Sequence, residues 1–268
     1  MTFELAISTM HKNIDECLEL VKKMNVNCDC IVINQCDNDG FYEEIRDKQK
    51  IRIFSSKERG LSKSRNLALS NAKSDILGIA DDDLFYYDDF DKKIIKAYEL
   101  HPNASAVCFN IDAYDATYPD IEFKCRFRHL FSFMSVMITL KVQDIKKEKI
   151  FFNEFFGTGS EYFQSGEENI LLGNIFSNGL CIYYNPNKIL RIEESDSSWF
   201  HGFDRDFIET RGAITYAMSP KFSDLWILLF AIKKCFTFKQ FNLFQIYNFM
   251  LFGRKKYKKI ILGNSKIV

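Results

Sequence analysis

Short apolar runs alternate with amphipathic segments through residue 100, and no other feature of this sequence restricts the fold as strongly. Residues 3–8 read as a strand, after which Ile14, Cys17, Leu18, Val21 and Met24 recur at the three- and four-residue spacing of one helix face. Residues 30–34 and 51–54 are further short strands, 61–72 a helix, 75–80 a fourth strand and 88–100 a third helix. Strand and helix alternating at this spacing predict an α/β fold: a mostly parallel, Rossmann-like central sheet with helices on both faces. At 268 residues and 47% apolar composition the chain can bury one such core with a helical C-terminal appendage, and 27% charged residues with abundant Phe exclude a disordered chain.

Parallel sheets bind ligands at the carboxyl ends of their strands, so the residues just beyond each strand carry the functional information. The fourth strand ends in Asp81-Asp82-Asp83. Three adjacent carboxylates repel one another unless a cation compensates them, and hard oxygen donors suit Mg or Mn, completed by the oxygens of a bound phosphate. A solvated turn leading to the acidic pair Asp88-Asp89 explains the same residues equally well.

A second signal is Gly60-Leu61-Ser62-Lys63-Ser64-Arg65-Asn66. With Ser62 as the helix cap, Leu61, Arg65, Ala68, Leu69 and Ala72 share one face, which sets a guanidinium in an apolar stripe. A buried Arg must be paired, and a diphosphate, a base edge or an internal carboxylate would each serve. The third signal is Phe156-Gly157-Thr158-Gly159-Ser160, followed by Ser165-Gly166-Glu167-Glu168-Asn169 and an apolar helix. Two glycines let backbone approach a ligand closely, and either carboxylate at the helix start is a candidate general base or an ordinary first-turn Glu.

In this order and context the three elements resemble family-2 glycosyltransferases of the GT-A fold, of the bacterial surface-polysaccharide type, from about Phe3 to about Arg211. The resemblance implies a GT-A catalytic domain over residues 1–218, with a nucleotide-sugar half to about 110 and an acceptor half beyond, and an appended segment at 219–268. It implies a metal-dependent, inverting hexosyltransferase that moves a sugar from a nucleotide diphosphate sugar, UDP first, to a hydroxyl of a glycan acceptor. Asp81 and Asp83 match the Asp-x-Asp that holds Mn or Mg on the donor diphosphate, with Asp83 the direct ligand and Asp82 beside it. Arg65 and Asn66 match the Arg-Asn of the nucleotide-side helix. Glu168 matches the catalytic base, though Glu replaces the family's Asp and leaves Glu167 a candidate. Thr9 and Met10 fall where the first strand meets the base, and Asn34 or Asp37 takes the base-reading position. Trp199 and His201 lie where related enzymes close over the diphosphate, which makes His201 a third candidate metal ligand.

Net charge is zero but uneven: residues 1–218 carry 26 Lys and Arg against 35 Asp and Glu, whereas 219–268 carry 10 against Asp224 alone. Residues 222–232 are nearly all apolar yet short of the roughly 20 residues that span a bilayer. Phe241, Phe244, Tyr247, Phe249 and Phe252 follow, with Asn242, Gln245 and Asn248 as a polar stripe and Arg254, Lys255, Lys256, Lys258 and Lys259 as a basic end. Aromatic helices beside Lys clusters fit the anionic inner face of a cell membrane, the expected location for a lipid-linked acceptor in capsule or O-antigen synthesis. A hairpin packed on the catalytic domain and a homodimer contact remain alternatives. No nucleic-acid module is present. Eight scattered cysteines with no Cys-x-x-Cys, and a start without a signal-peptide pattern, point to the reducing cytoplasm. Two other classes stay open: a nucleotide-sugar pyrophosphorylase, although residues 8–12 lack a Gly-rich phosphate loop, and a noncatalytic nucleotide-sugar or protein-binding scaffold.

Overall fold

A computed structural model describes residues 1–113, 118–192, 202–238 and 240–264. The first half follows the sequence pattern: β1 (Phe3–Met10), α1 (Ile14–Lys23), β2 (Asp29–Gln35), β3 (Gly40–Arg46), β4 (Gln49–Ser56), α2 (Leu61–Asn71) and β5 (Ile76–Ala80). Leu5, Ile7, Ile31 and Ile33 are almost completely buried, and each such side chain contributes roughly 1.5–3 kcal/mol through apolar burial. Helix α1 starts at a reciprocal cap, Asn13 accepting from the Glu16 amide while Glu16 accepts from the Asn13 amide.

Strands β4, β2, β1 and β5 pair in parallel and in that order. Strand β3 adds an antiparallel edge to β4 through a two-residue turn, in which Asp47 and Lys48 both take positive φ. The second half comprises β6 (Leu84–Tyr86), α3 (Phe90–Leu100), β7 (Ala104–Asp112), β8 (Phe123–Lys124), β9 (Ile138–Lys141), α4 (Val142–Lys147), α5 (Glu167–Ser177) and β10 (Cys181–Ile192). Here the sheet is mixed: β9 runs antiparallel between β5 and β7, β10 is parallel to β7, and β6 is antiparallel to β10. The central sheet flanked by helices is thus the expected α/β architecture, parallel across β4, β2, β1 and β5 and mixed elsewhere.

Among the described residues three α-helices follow β10: α6 (Arg205–Met218), α7 (Ser223–Lys234) and α8 (Leu243–Asn264). They enclose a small second core of Ile208, Ile227, Ala231, Phe238, Ile246 and Met250. Helices α6 and α8 cross with no room for side chains, since a Cβ on Gly212 would lie 2.0 Å from the Met250 carbonyl oxygen and one on Gly253 1.7 Å from that of Glu209. The stripe of Asn242 and Gln245 forms a reciprocal cap at the start of α8, each amide donating to the other's side chain at 2.9 Å. Farther along, Tyr257 joins the main core and accepts from Asn153 Nδ2 at 2.7 Å. Lys256 and Lys258 lie over the rings of Phe163 and Tyr216, and Arg254 pairs with Asp224. Among the described residues no helix is long and apolar enough to cross a membrane. Cys28 and Cys30 are free thiols buried in the core, and Cys36 is a free thiol that is partly exposed.

Candidate active site

Helix α2 and the glycine loop build one wall of the site together. Ser62 does not cap α2: Gly60, at φ +113°, holds the cap position, and the Ser62 Oγ donates to the Phe156 carbonyl at 2.6 Å. The Leu61 amide donates to the Thr158 carbonyl at 2.9 Å. A Cβ on Gly157, at φ +106°, would fall 3.0 Å from the Ser62 Oγ and 3.2 Å from Glu167 Oε2. The close approach that these glycines permit within the chain is to α2 and to Glu167, and Thr158, between Gly157 and Gly159, lines the cleft.

That contact delivers Glu167 to Arg65. The Arg65 side chain is 1% exposed and donates to Glu167 Oε1 at 2.6 Å, Asp81 Oδ1 at 2.8 Å and Ser135 Oγ at 2.9 Å. Its two carboxylate partners hold the guanidinium pKa up against the opposing effect of burial, which is the largest influence on it. An internal carboxylate pair, one of the partners foreseen for a buried Arg, is thus what the fold supplies. Two buried atoms of this cluster have no hydrogen-bond partner, Arg65 Nε and Glu167 Oε2.

Asp81, Asp83, Arg65, Glu167 and Glu168 all line one cleft of about 410 Å³ at the carboxyl end of β5. Glu168 is half-buried, and burial, reinforced by the neighbouring Glu167 charge, raises its carboxyl to about 8. Arg211, on α6, faces the same cleft and donates to Asn169 Oδ1 at 3.1 Å. Burial lowers the Arg211 pKa while Glu168 and Glu167 raise it. Arg211 and Ser135 were missed by sequence reasoning. Arg211 carried a usable signal: it sits three residues from both Ile208 and Ile214 on α6, a guanidinium on an apolar face as in α2.

The three aspartates diverge. Asp81 points to Arg65, Asp82 accepts from the Thr9 hydroxyl with Lys12 Nζ at 3.8 Å, and Asp83 is exposed at the cleft. Among the described residues no three His, Cys, Asp or Glu side chains converge as a full protein cage for a metal requires. Mg and Mn need no such cage, because one or two carboxylates with phosphate oxygens suffice. Asp81 and Asp83, sharing the cleft, fit that donor set.

The remaining candidates are placed elsewhere or lie beyond description. Thr9 is buried and committed to Asp82. Met10 is exposed at the end of β1. The buried Asn34 amide grips the Lys12 backbone, donating to its carbonyl and accepting from its amide, and so fixes the loop after β1. Asp37 is exposed and pairs with Arg59 at 2.8 Å. Asn66 lies outside the cleft, bonded to both backbone groups of Phe152 and to Glu154. Trp199 and His201 fall outside the described residues.

Known structures share this arrangement of elements. The S. aureus TarS fragment 1–349, crystallised in complex with UDP-GlcNAc, superposes with a TM-score of 0.62 at 15% identity, covering 89% of this chain and 73% of that one. The TarS 1–349 crystal structure without a named ligand gives 0.59 at 11% identity over 97% of this chain and 92% of that one. These likenesses carry the fold. No curated protein matches the sequence. The sequence model of Glycosyl transferase family 2 matches residues 10–165, a stretch that runs from the last residue of β1 through α2, β5, the aspartate triplet and the glycine loop. With more than half its length matched, the chain belongs to glycosyl transferase family 2.

Proposed function

We propose that this chain is an inverting glycosyltransferase that moves a sugar from a nucleotide diphosphate sugar, UDP-linked first, to a hydroxyl of a lipid-linked glycan. The surface of the cell membrane's inner leaflet is the proposed working place, and capsule or O-antigen assembly the proposed process. Residues 1–218 are taken as the catalytic domain and 219–268 as its basic, helical attachment. Support for a UDP donor comes from family membership and from the UDP-GlcNAc and UDP complexes of the TarS fold.

One observation carries the reading: a half-buried carboxyl raised to about 8, Glu168, shares a small cleft with Asp81, Asp83 and two guanidinium groups. A base poised near the working pH accepts a proton most effectively. Glu168 takes the proton of the acceptor hydroxyl as that oxygen attacks the anomeric carbon. The bond from that carbon to the diphosphate oxygen breaks, and its electron pair leaves with the diphosphate. Attack from the face opposite the leaving group inverts the configuration. Arg211, within the same cleft, favours the negative charge that develops there. Glu167 is held by Arg65 and so serves to organise the wall, leaving Glu168 as the proton acceptor. Asp83 and Asp81 would hold Mn or Mg, which when bound supplies positive charge to the leaving diphosphate.

Incubation with a panel of nucleotide sugars and Mn, with product nucleotide and configuration read by NMR, tests this. Release of UDP that stops in EDTA is expected. Release of pyrophosphate from a nucleoside triphosphate and sugar phosphate, with no UDP from any sugar donor, would instead establish nucleotidyl transfer.

A further inference from the structure

A second pocket, about 400 Å³, opens beside the catalytic cleft between α6, α7 and the turn at residues 127–132. The two hollows share Phe131, Ser132 and Arg211 as lining residues, so they adjoin at that wall. Four cations line the second one, Arg128, Arg211, Lys233 and Lys234, and among its described residues there is no carboxylate. Like charges are not gathered in a half-buried place without cost. The Lys234 ammonium shows that cost, its pKa lowered first by burial and then by Lys233 and Arg211.

The rest of the lining is apolar and aromatic. Trp226 packs on Phe127 with ring centroids 4.8 Å apart, Arg211 lies 4.8 Å over Phe207, and Lys234 5.5 Å over Phe238. Leu229 lines the pocket and also belongs to the outer face of α7, where Leu225, Leu228 and Ile232 are exposed with it. An anion entering along α7 would therefore keep an attached apolar chain against leucines while its charge met four cations.

We propose that this pocket holds the phosphate group of the acceptor, and that the acceptor is an amphiphile whose apolar chain lies along the outer face of α7. This rests on the transferase reading and deepens it by giving the acceptor a phosphate group and a seat for it. Charge complementarity selects the phosphate, and the exposed apolar side chains of Leu225, Leu228, Leu229 and Ile232 select a chain-bearing one. The wall shared at Arg211 sets the phosphate seat beside the cleft that Glu168 lines, the side to which a sugar attached beyond the phosphate would extend.

The test uses the full chain and three soluble probes below micelle formation, octyl phosphate, octyl glucoside and inorganic phosphate, titrated by calorimetry, with UDP as the donor-site probe. Octyl phosphate is expected to bind at least about tenfold more tightly than either other probe. Lys233→Gln/Lys234→Gln should lose that preference with UDP binding and melting temperature unchanged. Should the double variant fold poorly, Arg128→Gln, altered at an exposed side chain, is expected to show a several-fold loss in octyl phosphate affinity alone. Equal binding of octyl glucoside or of inorganic phosphate by the unaltered chain overturns the proposal, as does octyl phosphate affinity indifferent to the folded variant. Failure of the unaltered chain to bind UDP, with octyl phosphate still bound, would count against the donor reading alone.

Discussion

Replacing Arg65 by Met tests how the active-site wall is held. The guanidinium is 1% exposed, and the Glu167 side chain bonded to it is 6% exposed. Removing one partner of such a pair strands the other as an uncompensated buried charge, a loss of about 3–5 kcal/mol. Asp81, 35% exposed, reaches solvent and adds little. For a domain of this size 1 kcal/mol shifts the melting temperature by about 2–4 °C, so a fall of roughly 6–20 °C is expected. Arg65→Met/Glu167→Leu should melt higher than Arg65→Met, because the unbonded Arg65 Nε and Glu167 Oε2 show that the ion pair is imperfectly satisfied and an apolar pair strands no charge. Thermal unfolding followed by circular dichroism reads both. A Met variant within about 1 kcal/mol of the unaltered chain, or losses in the double variant that simply add, would refute the reasoning.

Two other outcomes follow from the same geometry. Gly212→Ala or Gly253→Ala should destabilise strongly, since each new Cβ would sit 2.0 Å or less from a backbone oxygen of the facing helix; a melting temperature unchanged in both would mean that α6 and α8 do not cross as described. Glu168 titrates at about 8 in the folded chain against about 4.5 when unperturbed, so its folded form binds the extra proton. Its contribution to stability is fully present below pH 4.5 and is lost as pH rises through 8. Glu168→Gln should accordingly gain on the unaltered chain in melting temperature between pH 5 and pH 9, and parallel curves would contradict the raised value.

The amino-terminal half of the fold was legible because its strands are buried on both faces and read as continuous apolar runs. Strand β3 was not, since it is almost wholly exposed and its turn is made by Asp47 and Lys48 rather than by the Asn-Gly or Asp-Gly pair that advertises a hairpin. The mixed half was faint for a related reason: β8 and β9 are short and depend on partners far away in sequence. At the site, Arg65 and Glu167 each stood out locally, yet their bond joins residues 102 apart and is set by the packing of the glycine loop on α2, which no local pattern encodes. Asn34 illustrates the opposite error, where a polar residue at a strand end is spent on its own neighbouring loop.

Glu168 is the proposed group that takes the acceptor's proton. Turnover of a UDP-sugar by Glu168→Gln, measured beside its UDP affinity, addresses this directly. Nucleotide binding should persist while the rate falls by about 10²–10⁴-fold. A Gln variant that turns over at the rate of the unaltered chain would contradict it.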